Sequence, residues 1–410
     1  MYTRARASTT EADTARLREI ASTPSEVQTT AQGGSTSQPI HEGLAGVVIG
    51  SSAICDVNGE RGTLTYRGYD IGELACHATF EETVHLLWHG DLPNQTQLDL
   101  LSARLADERE ISEAVEQVLA ALPEHIQPMD ALRTASSALS CPSNGDSGSL
   151  SSEQQAICLV AKLPTIAAAH YRRRRSLPRV HPRRDLSHAA NFLYMIHGEE
   201  PTERQAKTMD LAMLLMAEHG FNASTFAARV TAATLADIVS AVTSAISTLK
   251  GPLHGGANEQ AMRMMLEIGD VAHVASYIDD ALARKQRIMG FGHRVYRTSA
   301  DPRAAYLRGS LFDLCAESGD FHLYELATTI AEAVETKKGL YPNVDFYAAP
   351  VLYLLGIPLE LFVSVFAISR VPGWTAHIME QHTNNKLIRP LSAYVGPEDR
   401  VYRPIGQRGN

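Results

Sequence analysis

The chain has 410 residues, 44% hydrophobic and 20% charged, with a formal net charge of -9 at pH 7. That is enough for two domains, or one large domain with a lobe, around an ordinary globular core. The acidic balance gives no reason to expect nucleic acid or an anionic membrane as a partner. Five cysteines, Cys55, Cys76, Cys141, Cys158 and Cys315, are scattered and form no CxxC. This argues for reduced thiols in the cytoplasm and against a zinc site or a disulfide framework. No continuous apolar run approaches the ~18 residues of a membrane span; "FVSVFAI" is among the longest.

Residues 1–40 are rich in Ser, Thr, Ala and Gln and lack the apolar centre of a signal peptide. Glu11, Asp13, Glu19 and Glu26 oppose a transit-peptide reading of Arg4, Arg6, Arg16 and Arg18. The expectation is a disordered arm with one helical turn near Ala12–Ile20. From His41 the sequence turns globular, and β-branched residues with the Asn58-Gly59 pair predict a small hairpin near 47–66. Beyond residue 70 the pattern is helical. Phe80, Val84, Leu87 and Trp88 fall at helical spacing, and Gly90 and Pro93 stop the run. Leu98, Leu101 and Leu105 mark a second helix, and Pro128 opens a third. Residues 141–153 read as a loop by composition. The next helix contains Pro164, which predicts a kink.

The stretch "RRRRSLPRVHPRRD" reads as a proline-broken surface loop, with phosphate binding as the functional alternative. "KTMDLAMLLMAEHGFNAS" and "TFAARVTAATLADIVSAVTSAISTLK" read as two long buried helices without clean polar faces. Gly251 and Pro252 end the second, and Ala261, Met264, Met265 and Ile268 mark the helix after it. No strand–helix alternation and no repeat of solenoid period is present, so the class is all-α.

Chemistry gathers in the joints between these helices. In "LKGPLHGGANEQAM" His254 sits between a proline and two glycines, just before a helix. The partial positive charge of a helix N-terminus disfavours an imidazolium, and a neutral histidine can polarise a carbonyl. In "RIMGFGHRVYRTSADPR" His293 follows Gly290 and Gly292, with Arg294, Arg297 and Arg303 around it. Such arginines suit an anion pocket, and the GxGxxG of a dinucleotide site is missing. In "PNVDFYAAP" Asp345 sits among apolar neighbours, where it is either a helix N-cap or a carboxylate raised towards neutrality for use as a base. Arg370 and Arg389 follow, each near a proline. His377 and His382 lack the spacing of a helical metal pair. Two histidines, one aspartate and several arginines suit removal of a proton beside a carbonyl, followed by attack on a dianionic acceptor.

Taken in order, "AEHGFNAST", "GPLHGGANE", "GFGHRVY…DPR", "PNVDFY", "SRVPGWTAHIMEQ" and "LIRP" closely resemble the citrate synthase family, which includes 2-methylcitrate synthases. The resemblance runs from about Gly43 to Arg400. It implies a nearly all-helical homodimer, with a large domain over 41–254 and 351–410 and a smaller lobe over 255–350 that closes on substrate. It implies Asp345 as the base towards an acyl-CoA, His254 as donor to the thioester oxygen, and His293 at the oxaloacetate carbonyl. His219, Arg303, Arg370 and Arg389 would hold the two oxaloacetate carboxylates, Arg389 from the partner subunit. Coenzyme A would lie along Arg287, Ile288, Gly290 and Gly292, with Arg297 near its phosphates. It is a co-substrate, and no permanently bound cofactor or metal is implied.

The chain departs from many relatives at Met216, where a histidine or tyrosine is common. Its arm does not resemble the larger N-terminal domain of the hexameric, NADH-sensitive members, which favours a dimer. The expectation is a citrate synthase using acetyl-CoA, with a 2-methylcitrate synthase using propionyl-CoA as the alternative. An extra methyl is worth only about 1–3 kcal/mol of discrimination, so both activities are physically easy. A citryl-CoA lyase or a non-catalytic homologue is the weaker reading.

Overall fold

The computed structural model describes residues 40–44, 46–140, 150–297 and 299–408. The arm before residue 40 and most of the loop expected at 141–153 lie outside the described residues. The chain divides into two compact units, one of residues 1–49 with 390–410 and one of Gly50–Arg389. The described part of the first holds two short 3-10 turns, Glu42–Leu44 and Ile405–Gln407. Everything below belongs to the second.

Three antiparallel strands, β1 (Cys55–Asn58), β2 (Thr63–Tyr66) and β3 (Tyr69–Asp70), form one small sheet in that order. Asn58 pairs with Thr63, so the Asn58-Gly59 pair opens a loop over 59–62, closed by Asn58 Oδ1 accepting the N–H groups of Glu60 and Arg61. The hairpin also begins later than residue 47. The Ala53 N–H is taken at 2.8 Å by the Glu380 carboxylate and not by a strand.

Sixteen α-helices follow among the described residues. The first five are α1 (Ile71–His77), α2 (Phe80–His89), α3 (Gln95–Asp107), α4 (Glu113–Ala121) and α5 (Pro128–Ser137). Next come α6 (Ser152–Arg174), α7 (His188–His197), α8 (Glu203–Met216), α9 (Ala223–Ala232) and α10 (Ile238–Leu249). The last six are α11 (Ala257–Ile268), α12 (Val274–Ala283), α13 (Pro302–Ser318), α14 (His322–Lys338), α15 (Val344–Leu354) and α16 (Phe362–Thr383). Thr79, Asn94, Ser151 and Thr202 each open a helix with a reciprocal capping box, which satisfies two of the N–H groups a helix start leaves over. As the periodicity predicts, Ala261, Met264, Met265 and Ile268 all face the core.

Pro164 lies inside α6, which runs unbroken over 23 residues. One local expectation is corrected. The segment from Thr225 to Lys250 is not one helix: it breaks after Ala232, where Leu235 takes φ 65°, and restarts at Asp237, whose side chain accepts the Ser240 N–H at 2.8 Å. A capping aspartate inside an apolar run was the available signal.

Helix α16 lies at the centre and packs against α2, α6, α8, α9 and α10. By length and composition the stretch Leu359–Thr383 could cross a membrane, but its apolar window is wholly buried inside the protein. A core helix surrounded by other helices reads the same way. Helix α15 packs on α11 and α13, and the bridge between Phe291 and Pro342 sets the start of α15 beside the joint that carries His293.

The arginine-rich stretch is a clamp. Arg172 donates to the carbonyls of Pro178 and Ile196, Arg173 to Ala120, and Arg174 and Arg175 pair with Glu360. Arg179 pairs with Glu110 and Glu116, Arg183 with Asp185 and Glu200, and Arg184 with Asp107. With each guanidinium already engaged, phosphate binding is disfavoured; the loop reading holds only from Arg175 onward, because Arg172, Arg173 and Arg174 form the last turn of α6. Arg172 is the buried member, so Arg172→Met is expected to lower stability by about 1.5–3 kcal/mol through loss of charged hydrogen bonds. Urea unfolding of the variant beside the parent measures it.

Candidate active site

Four of the residues singled out from sequence converge around two buried guanidinium groups. Arg303, in the first turn of α13, is almost fully buried and grips Asp301 with Nε (3.0 Å) and Nη2 (2.8 Å). Burial opposes its charge, but Asp301 more than reverses this, and the Arg303 pKa rises. Asp301 is held low in turn: burial alone would raise it, and Arg303 outweighs burial. Arg370, in the middle of α16, gives Nε to the Met216 carbonyl at 2.6 Å and lies over the Phe366 ring. Burial lowers its pKa, with Glu218 as the main opposing charge.

His254 sits in the turn between α10 and α11, where its N–H reaches the Gly251 carbonyl and the Gly255 N–H returns to Leu249. The backbone N–H of Ser224, at the start of α9, points at His254 Nε2 (3.3 Å), and the Ser224 hydroxyl lies 2.9 Å from the same atom. A backbone N–H can only donate, so Nε2 accepts and the ring proton resides on Nδ1. Trp374 Nε1 holds the Ser224 hydroxyl from the other side at 3.1 Å. The His254 pKa is pushed down to about 4, by burial first and then by Arg370. The direction is the one expected of a histidine at a helix start, and enclosure and a guanidinium drive it.

His293 shows the opposite tautomer. Its Nδ1 accepts the backbone N–H groups of Val295 (3.0 Å) and Tyr296 (3.2 Å), which leaves the proton on Nε2. Its pKa also falls to about 4, mainly through burial, with Asp301 and Arg303 acting in opposite senses. The His219 ring meets that of His293 edge-on at 5.0 Å. His219 is held well below its ordinary value by burial, then by Arg303, His293 and Arg370. Its Nε2 is buried with no partner among the described residues, a costly condition unless a further group meets it.

Asp345 is not the N-cap of α15. Asn343 holds that position and takes the Asp345 N–H at 3.1 Å, so the Asp345 carboxylate is left free of the capping role. Burial raises its pKa to about 6, against the pull of Arg303 and Arg370. The same asparagine ties this joint to the one carrying His293. Asn343 N and Nδ2 donate to the carbonyls of Gly290 and Gly292, and Gly292 N donates to Tyr341. Gly290 has φ 83°, and a Cβ there would come within 2.8 Å of Phe346 Cβ, so only glycine lets the two joints close up.

The remaining residues lie apart. Ile288 is buried beside this loop, while Arg287, Arg294 and Arg297 are exposed, so of the arginines expected around His293 only Arg303 is drawn in. Arg389, exposed after α16, makes no hydrogen bond or ion pair among the described residues. No three metal-ligating side chains converge among the described residues.

Several contributors were not singled out from sequence. Glu218 and His377 form a fully buried pair at 3.0 Å; Arg229 donates to His377 Nδ1 (3.0 Å), so the His377 proton sits on Nε2, facing Glu218. Burial would raise the Glu218 pKa, and His377 and Arg370 bring it below its ordinary value. Tyr66, ending β2, donates its hydroxyl to the Glu218 carbonyl at 2.9 Å. Asp301 was legible as the acid two residues before Arg303. Ser224 and Trp374, 150 residues apart, carried no shared signal.

The pH dependence of stability follows with two signs. His254 and His293 stay neutral in the fold down to about 4, so as pH falls from ~6.5 the unfolded chain takes up protons that the fold refuses, and stability drops. Asp345, raised to about 6, works the other way and favours the fold as pH falls through 6. The urea midpoint is expected to decline between pH 6.5 and 4, and Asp345→Asn is expected to steepen that decline.

Comparison with known proteins gives the family. Residues 43–391 match the family described as citrate synthase, C-terminal domain. A citrate synthase from Haloferax volcanii is 45% identical over 376 residues, 90% of this chain and 99% of that one. A 2-methylcitrate synthase from Mycobacterium tuberculosis is also 45% identical, over 88% of this chain and 92% of its own. Among solved structures, a ternary complex of carboxymethyl coenzyme A and oxaloacetate with citrate synthase from Thermoplasma acidophilum superposes with a TM-score of 0.83 at 32% identity, covering 90% of this chain and all of that one. The chain therefore belongs to the citrate synthase family, enzymes of the acyltransferase class.

Proposed function

We propose that this chain condenses acetyl-CoA with oxaloacetate and water to give citrate and CoA through an enol. The observation that carries the reading is Asp345: a carboxylate raised to about 6 by burial, free of capping duty, in the field of two buried arginines. A base of that pKa is deprotonated at neutral pH yet strong enough to remove a proton beside a thioester carbonyl. His254, neutral with its proton on Nδ1, donates to the thioester oxygen and stabilises the developing enolate without giving up the proton. His293 presents Nε2–H to the ketone of oxaloacetate and polarises it for attack.

His219, Arg303 and Arg370 hold the oxaloacetate carboxylates, and the unpaired His219 Nε2 supports this role. Orienting a dianion between buried guanidinium groups converts binding into alignment. Coenzyme A runs along Arg287, Ile288, Gly290 and Gly292, with the exposed Arg297 near its phosphates. The segment 255–350 acts as the lobe that closes on the bound substrates and excludes water until the citryl thioester has formed. The enzyme works as a cytoplasmic homodimer, with Arg389 of the partner subunit completing the anion site.

A second reading, 2-methylcitrate synthesis from propionyl-CoA, is favoured by the 45% identity shared with relatives of both names. CoA release with oxaloacetate, comparing kcat/KM for acetyl-CoA and propionyl-CoA, separates the two. Acetyl-CoA is expected to be the better substrate, and a propionyl-CoA preference moves the assignment to the second reading. Asp345→Asn is expected to lower kcat by about 10²-fold or more, and the acid limb of the parent profile is expected near pH 6. Failure of the parent to consume either thioester, or parental turnover in the Asn variant, overturns the mechanism.

A further inference from the structure

The loop between β1 and β2 lies against the catalytic joint that carries His293. A Cβ on Gly59 would overlap the carbonyl oxygen of Val295 and come within 2.8 Å of its carbonyl carbon. The Ser299 hydroxyl donates to the Gly59 carbonyl at 3.2 Å, the Tyr296 hydroxyl to the Thr63 carbonyl at 3.4 Å, and Gly62 has Ser299 3.1 Å from where its Cβ would be. One peptide group links these contacts to the chemistry. The carbonyl of the Val295–Tyr296 peptide packs on Gly59, and the N–H of that same planar unit donates to His293 Nδ1. A rigid peptide cannot move one end without the other.

We infer that Gly59 is a positioning residue for catalysis: by admitting the Val295 carbonyl, the hairpin loop seats the peptide whose N–H joins that of Val295 in holding the His293 tautomer and aiming Nε2–H at the substrate carbonyl. The inference rests on the role given to His293 under the proposed function. A side chain at 59 pushes the Val295–Tyr296 peptide outward and weakens one of the two donors on Nδ1. The ring is then held less firmly and can exchange tautomers, and a neutral histidine with its proton on Nδ1 has no donor on Nε2. A weaker donor on the Nδ1 lone pair also makes protonation easier, so the histidine rises from about 4 against the burial that holds it down.

The test compares Gly59→Ala in the full chain with the parent and with Gly309→Ala, a glycine on α13 whose Cβ would meet nothing within 4 Å. Gly59→Ala is expected to lower kcat roughly tenfold or more and to move the acid limb of kcat/KM upward, while Gly309→Ala keeps both. A merely structural role would reduce the amount of active enzyme and leave the limb where it was, and that result overturns the inference. So does parental kcat in Gly59→Ala. Nitrogen-15 NMR of histidine-labelled protein reads the tautomer without reference to activity. A single Nε2–H form of His293 is expected in the parent and a mixture in Gly59→Ala, and the same single form in both overturns the proposal even if the proposed reaction is wrong. Should Gly59→Ala not fold, Ser299→Ala removes one tie without adding bulk. A smaller fall in kcat with the same upward shift is expected, and an unmoved limb with parental kcat overturns the inference.

Discussion

Two guanidinium groups buried in an apolar interior set the terms for the rest of this protein. Charge taken out of water is costly unless it is matched and hydrogen-bonded, and Arg303 and Arg370 are matched in different ways. Arg303 has a dedicated carboxylate two residues away, gripped at two points. Among the described residues Arg370 has one carbonyl as hydrogen-bond partner, lies over the Phe366 ring and relies on the field of Glu218. Glu218 is itself buried and held by His377, His377 by Arg229, and Arg229 by Glu380, whose other oxygen takes the Ala53 N–H just before the sheet. Compensation thus passes from the anion site through α16 to the edge of the hairpin, and each member is stable only because the next one is in place.

The same two charges, with the same burial, prepare the reacting groups. Burial disfavours whichever form is charged, so it lowers histidines and raises carboxylates. Nearby arginines push in one direction for both, lowering the histidines further and pulling Asp345 back down. The outcome is a carboxylate poised near 6 beside histidines that remain neutral hydrogen-bond donors. The two tautomers are opposite because different backbone donors reach them: Ser224 N meets Nε2 of His254, and Val295 and Tyr296 meet Nδ1 of His293. Backbone amides on capped helices and pinned loops move little, so donor direction is built in before substrate arrives.

Much of this was legible in the chain. Helical periodicity gave the class, and glycine and proline marked the joints, because a turn that reverses direction between packed helices needs residues with special backbone freedom. A histidine or aspartate in such a joint stands out against a run of alanine, leucine and methionine. Short-range pairs were readable in principle: Asp301 before Arg303, Asn343 before Asp345, and Asp237 as the cap that splits a long apolar stretch.

What only the tertiary structure decided is who faces whom. Glu218 and His377 are 159 positions apart, and Trp374 is 150 from the serine it holds, so no local pattern couples them. The helix start after His254 was visible in the chain, whereas the burial and the guanidinium that lower its pKa were not. Arg294 and Arg297, as near to His293 in the chain as any residue, turn to solvent, while Arg370 comes in from α16. By itself the sequence determined the element types, the joints and the residue kinds available for chemistry, since these follow from local backbone preference and hydrophobic spacing. Charge state, tautomer and direction depend on low-dielectric enclosure and on donors brought from distant segments, and those exist only once the helices have packed.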